Sequence, residues 1–320
     1  MKIGSLCSGY GGLDLAVEAL MGAETIWHSE FDKHANKVYE THWDNPNLGD
    51  LTLIDWNNVP KIDILTGGYP CQPFSMAGKR QGTNDKRHIF PYIANAIRTL
   101  QPRWVFLENV RGHLTLGFDT VLQTLTEIGY DAKWTLARAS DVGGCHRRER
   151  LFIIAEPIHT NNTRSPNLGS QEGQRQSLLE PCSLGSSSTD TCCERLQGNQ
   201  WIQGQPCSCS ATNTIHNQQP RDRTMSQLGG GHNTRSNVPV VQQWGRYETA
   251  IQRWEQITRP APEPLLEGKL SAIFVEWMMG LPQGWVTNVE LSRTQQLKIL
   301  GNGVVPQQAY YAYSKLLEIE

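Results

Sequence analysis

The chain has 320 residues, eight cysteines and a formal net charge of −2. Its length accommodates a full core and about two domains at ~150 residues each. It contains no apolar run long enough to span a membrane and opens without a secretory pattern, so the expectation is a cytosolic protein. The charge excludes a polycation, and any nucleic-acid surface must be a local patch. The cysteines are scattered, with CC at 192–193, CSC at 207–209 and no paired CxxC spacing, which favours neither a zinc site nor a disulfide framework.

At the start, Ile3 to Leu6 suit a buried strand, Ser8-Gly9-Tyr10-Gly11-Gly12 a tight loop, and Leu13–Met21 a helix closing at Gly22. Strand, glycine-rich loop and helix in that order predict a nucleotide or cofactor cradle. Glycines let the backbone approach a ligand, and a helix N-terminus offers free N–H groups. A second strand, Glu24–Glu30, ends in an acid. A carboxylate at that place commonly accepts hydrogen bonds from ribose hydroxyls, although a solvated strand-end acid is the plainer reading. Asp50 follows in the polar loop Asn45–Asp50, placed either to receive an adenine amino group or simply to form a turn.

A strand predicted over Ile62–Thr66 feeds the stretch Gly67–Gly82, GGYPCQPFSMAGKRQG. Proline fixes φ and removes a donor, so Cys71 is presented in a turn and not inside a helix. A thiol held there is placed to attack a substrate lying over the end of the sheet. Taken alone, Cys71 is read more readily as a small buried hydrophobe. Ile89–Leu100 is amphipathic and stops before Pro102; Arg103–Leu107 is then a strand delivering Glu108-Asn109-Val110 at its C-terminal edge. Phe118–Ile128 reads as a helix and Tyr130–Arg138 as a strand. The segment His146-Arg147-Arg148-Glu149-Arg150 leads into the apolar strand Leu151–Ala155. Arg148 and Arg150, two apart, share one face if that segment is extended and would converge on one base or phosphate. Strands alternating with helices over 1–156 predict an α/β domain with a mainly parallel sheet covered on both faces. Ligands of such sheets sit at the carboxyl ends of the strands, where the glycine loop, Glu30, Cys71 and Glu108 all fall.

Near Pro157 the composition changes: over half of residues 160–240 are Ser, Thr, Asn, Gln or Gly. A disordered linker is the plain reading, against which stand Leu184, Leu196, Trp201 and Leu228. A loose echo (Asn162-Thr163-Arg164, Asp190-Thr191, Asn213-Thr214, Asn233-Thr234-Arg235) suggests a repeated turn unit. Residues 160–259 hold nine Arg and no Lys, a bias that suits guanine edges and phosphates as well as it suits a solvated loop. Trp244, Tyr247, Ile251 and Trp254 mark a return to helical spacing, and Pro260–Pro264 reads as a rigid spacer. Leu270–Gly280 is an apolar helix, Leu300–Val305 (LGNGVV) a loop, and Pro306 opens a last helix, Gln307–Glu318.

Together these segments resemble the cytosine-C5 DNA methyltransferases that use S-adenosylmethionine. CSGYGGLDLA, GGYPCQPFS, ENV, RRERLFIIA and GNGVVP recur in the family's order across nearly the whole chain. The resemblance implies a Rossmann-like S-adenosylmethionine-dependent methyltransferase domain, 1–157 with 296–320, and a smaller inserted target-recognition domain, 158–295. It implies Cys71 as nucleophile, Glu108 as acid, and Arg148 with Arg150 as the holders of a flipped cytosine. Ser8, Gly9, Gly11, Gly12, Glu30, Asp50 and Asn302 would line the cofactor, with no metal. The implied partner is double-stranded DNA, bound by a monomer, and a cognate restriction endonuclease acting separately is compatible with it. Cys7 departs from the pattern, standing where the family usually has a Phe whose ring packs on the adenine. The alternatives are a relative acting on tRNA, disfavoured by the Arg-bearing insert, and a non-catalytic DNA-binding scaffold, disfavoured by intact Cys71, Glu108 and Arg150.

Overall fold

The structure, a computed structural model, describes residues 1–70, 89–158, 194–197, 200–203 and 244–319. Its centre is a six-stranded sheet in the order β2-β1-β3-β4-β6-β5. The strands are β1 (Lys2–Leu6), β2 (Glu24–Ser29), β3 (Ile64–Gly68), β4 (Trp104–Val110), β5 (Tyr130–Ala137) and β6 (Arg150–Pro157). β1 pairs in parallel with β2 and β3, and β3 with β4. β6 departs from the parallel expectation, running antiparallel to both β4 and β5. The cause is local: β5 and β6 are joined by loop and a short 3-10 turn, Ala139–Val142, and a parallel return needs a longer crossover, usually a helix.

Helices cover both faces because the central strands are apolar on both sides. On one face α1 (Gly12–Met21) and α8 (Pro306–Leu317) pack with Ile3, Phe106 and Phe152, and Tyr313 of α8 donates its hydroxyl to the Leu107 carbonyl at 2.9 Å. On the other, α3 (Phe90–Leu100) and α4 (Phe118–Glu127) bury Ile93, Ile97, Val121 and Leu125 against Leu65, Leu107 and Ile153. A third cluster joins Tyr10, Leu15 and Val38 to Leu281, Trp285 and Leu300. It draws the 272–289 stretch, which falls inside the expected recognition domain, onto the first domain.

Several boundaries differ from the sequence reading for reasons of capping. α2 (Lys33–Tyr39) was not expected; its N-cap Asp32 accepts from the His34 and Ala35 amides at 2.9 and 3.3 Å. Leu300 to Asn302, expected as loop, complete α7 (Arg293–Asn302). That helix starts at a capping box, Ser292 with Gln295, a spacing legible in the sequence. The apolar helix expected over Leu270–Gly280 shortens: Lys269–Leu270 pairs with Leu265–Leu266, and Ser271 caps α6, Ala272–Met278. Tyr247 belongs to a 3-10 turn, Gly245–Tyr247, that leads into α5, Glu248–Ile257. In the inserted stretch, Glu194–Gln197 and Gln200–Gln203 form an antiparallel hairpin. The Asn162, Asn213 and Asn233 echoes lie outside the described residues.

Candidate active site

At the end of β1 the chain turns sharply into α1. Cys7 (φ 53), Gly9 (φ 59) and Gly11 (φ 83) all occupy the left-handed region, which is routine for glycine and strained for cysteine. A Cβ at Gly9 would meet nothing within 4 Å, so the loop faces open space there. The Gly9 amide donates to Glu30 Oε2 at 2.9 Å and the Asp32 amide to Glu30 Oε1 at 2.8 Å. Burial raises the Glu30 pKa, and those two backbone donors oppose the rise. Asp50 forms the turn that the plain reading expects, its Oδ1 accepting from the Thr52 amide and hydroxyl at 2.9 and 2.8 Å. Burial pushes the Cys7 thiol up, and the charges of Glu30 and Asp50 push it in the same direction.

Under the loop lies a residue the sequence reading passed over. Asp14, on the buried face of α1, accepts from Thr66 Oγ1 at 2.6 Å, Ser5 Oγ at 2.7 Å and the Tyr39 hydroxyl at 3.1 Å. It ties β3, β1 and α2 together beneath Ser8 and Gly9. Burial raises its pKa to about 7, against the pull of those hydroxyls. The available signal was an acid inside an apolar helical stripe. Gly12 opens α1 behind the loop, against the Val304 carbonyl.

The GNG turn meets the same loop from the other end of the chain. Tyr10 donates its hydroxyl to the Val304 carbonyl at 2.6 Å, and Trp285 donates Nε1–H to the Tyr10 carbonyl at 2.9 Å. Trp285 in turn stacks on His42, with ring centroids 3.5 Å apart. Arg148 donates from Nη2 to the Gly301 and Gly303 carbonyls at 3.0 and 2.5 Å, and its φ is 30°. This Arg is not on an extended segment with Arg150, as the spacing suggested; its guanidinium clamps the turn that carries Asn302. Asn302 itself is exposed at the end of α7.

Glu108 lies within β4, paired with Gly68 of β3 on one side and Phe152 of β6 on the other. It is 7% exposed. Arg150 Nε sits 3.1 Å from its Oε1. Burial raises the Glu108 pKa, and Arg150 and then Arg148 pull it back. Beyond Gly68, Tyr69 is fixed from two sides. Its hydroxyl is 2.8 Å from His113 Nε2, and its carbonyl accepts from Asn109 Nδ2 at 3.4 Å. Because His113 Nδ1 faces the Leu116 carbonyl at 3.1 Å, that nitrogen is the donor, and Nε2 accepts the tyrosine proton. Cys71 follows two residues later and lies outside the described residues. Among the described residues no group of three or more His, Cys, Asp or Glu is arranged to hold a metal ion.

A sequence model of the C-5 cytosine-specific DNA methylases matches residues 1–318. Among curated relatives, the type II methyltransferase M.NgoBI of Neisseria gonorrhoeae is 40% identical over 154 residues, covering 47% of this chain and 48% of that protein. Type II methyltransferase M.HhaI of Haemophilus parahaemolyticus is 36% identical over 154 residues, 47% of each. The chain thus matches about half the length of these relatives. Among solved structures, the S. pombe Dnmt2 methyltransferase aligns with a TM-score of 0.55 at 17% identity, covering 99% of this chain and 98% of that one. The Entamoeba histolytica methyltransferase EhMeth aligns with a TM-score of 0.55 at 16% identity and the same coverage. At these identities the two alignments speak to the fold.

Proposed function

The chain belongs to the C-5 cytosine-specific DNA methylase family, and from that premise we propose that it transfers the methyl group of S-adenosylmethionine to C5 of a cytosine flipped out of duplex DNA at a short specific sequence. The observation that carries the proposal is Glu108: a buried acid paired with Arg150 and seated beside Gly68, three residues before Cys71.

The chemistry asks for these residue types. Cytosine C5 is a poor nucleophile, so the ring must first receive electrons. The Cys71 thiolate adds to C6, forming a covalent adduct that splits one hard step into two. Glu108 stabilises the adduct by donating a proton or a strong hydrogen bond to N3, which requires it neutral, and burial favours that form. Arg150 holds the acid in place and offers its remaining N–H groups to the base. After methyl transfer a base removes the C5 proton and the thiolate leaves. A stacked base admits none of this, and flipping costs a few kcal/mol met by contacts elsewhere.

The residues around Gly9 fit the cofactor. The loop faces open space, and the Glu30 carboxylate accepts from the Gly9 amide at its edge; Glu30 and, on the following loop, Asp50 would offer acceptors for ribose hydroxyls and an adenine amino group. When bound there, S-adenosylmethionine supplies an electrophilic methyl group on a sulfonium. Cys7 presents a smaller surface than a phenylalanine to the adenine. Asn302, exposed at the end of α7 on the turn clamped by Arg148, would be a further contact to the cofactor. Target recognition is assigned to 158–295, with a monomer acting in the cytoplasm of a bacterial or phage-infected cell, separately from any cognate restriction endonuclease.

The test is a covalent trap. A duplex with 5-fluorocytosine at the target, identified by bisulfite sequencing of a plasmid co-expressed with the chain, should crosslink the wild-type protein, because fluorine is not eliminated as a proton is. Cys71→Ala should lose the crosslink and turnover while keeping cofactor affinity. Trapping that persists in Cys71→Ala would sink the nucleophile, and methylation confined to tRNA would sink the substrate.

A further inference from the structure

Apart from the Glu108–Arg150 pair, three arginines from separate segments meet on one carboxylate. Glu149 Oε1 accepts from Arg138 Nε at 2.8 Å, and Oε2 accepts from Arg111 Nη1 at 2.7 Å. Arg147 Nη2 lies 3.8 Å from Oε2. The Glu149 side chain is 12% exposed, whereas those of Arg111, Arg138 and Arg147 are 61%, 45% and 67% exposed. Burial pushes the Glu149 pKa up, but hydrogen bonds from Arg138 and Arg111 outweigh it and hold the acid below its ordinary value. A nearly buried anion thus gathers three exposed cations; Asp141, whose Oδ2 accepts from the Arg138 amide at 2.8 Å, brings a second carboxylate, and the three cations still outnumber the two anions.

The sheet register explains the meeting. Val110 of β4 and Ala137 of β5 both pair with Arg150 of β6. Arg111, Arg138 and Glu149 are the next residues outward on each strand, one row beyond the sheet, on strands about 4.8 Å apart. Side chains alternate along a strand, so Glu149 turns to the opposite face from Arg150. One carboxyl-end edge therefore carries the acid pair on one side and the cationic cluster on the other.

Exposed ion pairs add little, and three guanidiniums around Glu149 and Asp141 keep one positive charge uncompensated, which a further anion would neutralise. Arginine presents five donors in a fixed fork, so a guanidinium tethered through one nitrogen keeps others for a phosphate. We propose that Arg111, Arg138 and Arg147, gathered by Glu149 acting as a positioning residue, grip the DNA phosphates beside the target nucleotide. The proposal rests on the methyltransferase reading above and adds a backbone contact to it.

Each phosphate neutralised contributes about 0.9 to the slope of log affinity against log salt on B-DNA. Anisotropy titrations of the target duplex between about 50 and 200 mM salt should give slopes shallower by about 0.9 in each of Arg111→Ala, Arg138→Ala and Arg147→Ala. S-adenosylhomocysteine affinity should stay as in wild type, and thermal melting should fall only slightly, because each variant loses one partner of Glu149. Glu149→Gln separates positioning from charge by sign. It makes the patch more positive, so a patch acting only as charge would bind DNA more tightly. A positioning carboxylate instead predicts weaker binding and a slower single-turnover rate. Unchanged slopes in the three arginine variants, or tighter binding by Glu149→Gln, overturn the proposal while trapping by the wild-type chain leaves the methyltransferase reading standing. A wild-type chain that neither binds nor traps the duplex overturns both.

Discussion

Glu108→Gln separates chemistry from folding at the centre of the proposed site. The substitution keeps the size and one acceptor oxygen, so the ion pair with Arg150, whose Nε is 3.1 Å from Oε1, becomes a contact between a cation and a neutral amide. That exchange costs about 1 kcal/mol of stability, or a fall in Tm of about 1–2 °C for a chain of 320 residues. An amide neither donates a carboxylic proton nor cycles one, so turnover should fall by roughly 10²–10⁴, about 2.7–5.4 kcal/mol of barrier. The loss of rate should therefore exceed the loss of stability severalfold. The pH profile supplies the sign. Because burial raises the Glu108 pKa, its acid form persists to higher pH than in an exposed glutamate, and turnover that needs the acid is lost as pH rises through the raised value. Arg150→Met removes the cation that opposes the rise, so the alkaline limb of any remaining turnover should move to higher pH. Single-turnover methylation against pH, beside urea denaturation of the same variants, makes the comparison. If activity and stability fall in proportion, or Glu108→Gln keeps the wild-type alkaline limb, Glu108 is a structural carboxylate and the mechanism fails.

Two further variants probe the scaffold of the site. Glu276, fully buried, accepts from the Gly284, Val286 and Thr287 amides at 2.7, 2.8 and 2.9 Å. Glutamine has one acceptor oxygen and leaves at least one of those donors facing an NH₂, so Glu276→Gln should lose about 2–4 kcal/mol in urea denaturation; a loss under about 1 kcal/mol would show that the 284–287 loop does not depend on the carboxylate. A Cβ at Gly303 would lie 1.8 Å from Tyr10 Cε1, a ring that is fully buried. Overpacking of this kind costs about 1–3 kcal/mol, and because Tyr10 belongs to the glycine loop, Gly303→Ala should weaken S-adenosylhomocysteine binding by roughly 5- to 150-fold in calorimetry. Unchanged affinity would separate the GNG turn from the cofactor.

Much of this protein was legible from residue order. The glycine loop between strand and helix, the acid after the second strand and the acid in the fourth depend on rules spanning a few residues: backbone freedom at glycine, alternation in strands, caps at helix ends. Those rules put the residues at the carboxyl ends of the strands; that Gly9 bonds Glu30 and that Glu108 pairs with Gly68 came from the fold. The capping box at Ser292 and the Asp32 cap were equally local and went unread. What sequence could not decide is which partner each polar group takes. Arg148 and Arg150 have the same chemistry two positions apart, yet one clamps the GNG turn and the other meets Glu108, because a positive φ at Arg148 breaks the alternation. β6 runs antiparallel because of what joins it to β5, and only that reversal brings Glu149 level with Arg111 and Arg138. Trp285 reaches Tyr10 across 275 residues of separation. Periodicity reports which face of an element is buried; the atom that each buried or half-buried charge meets is set by packing between elements distant in the chain.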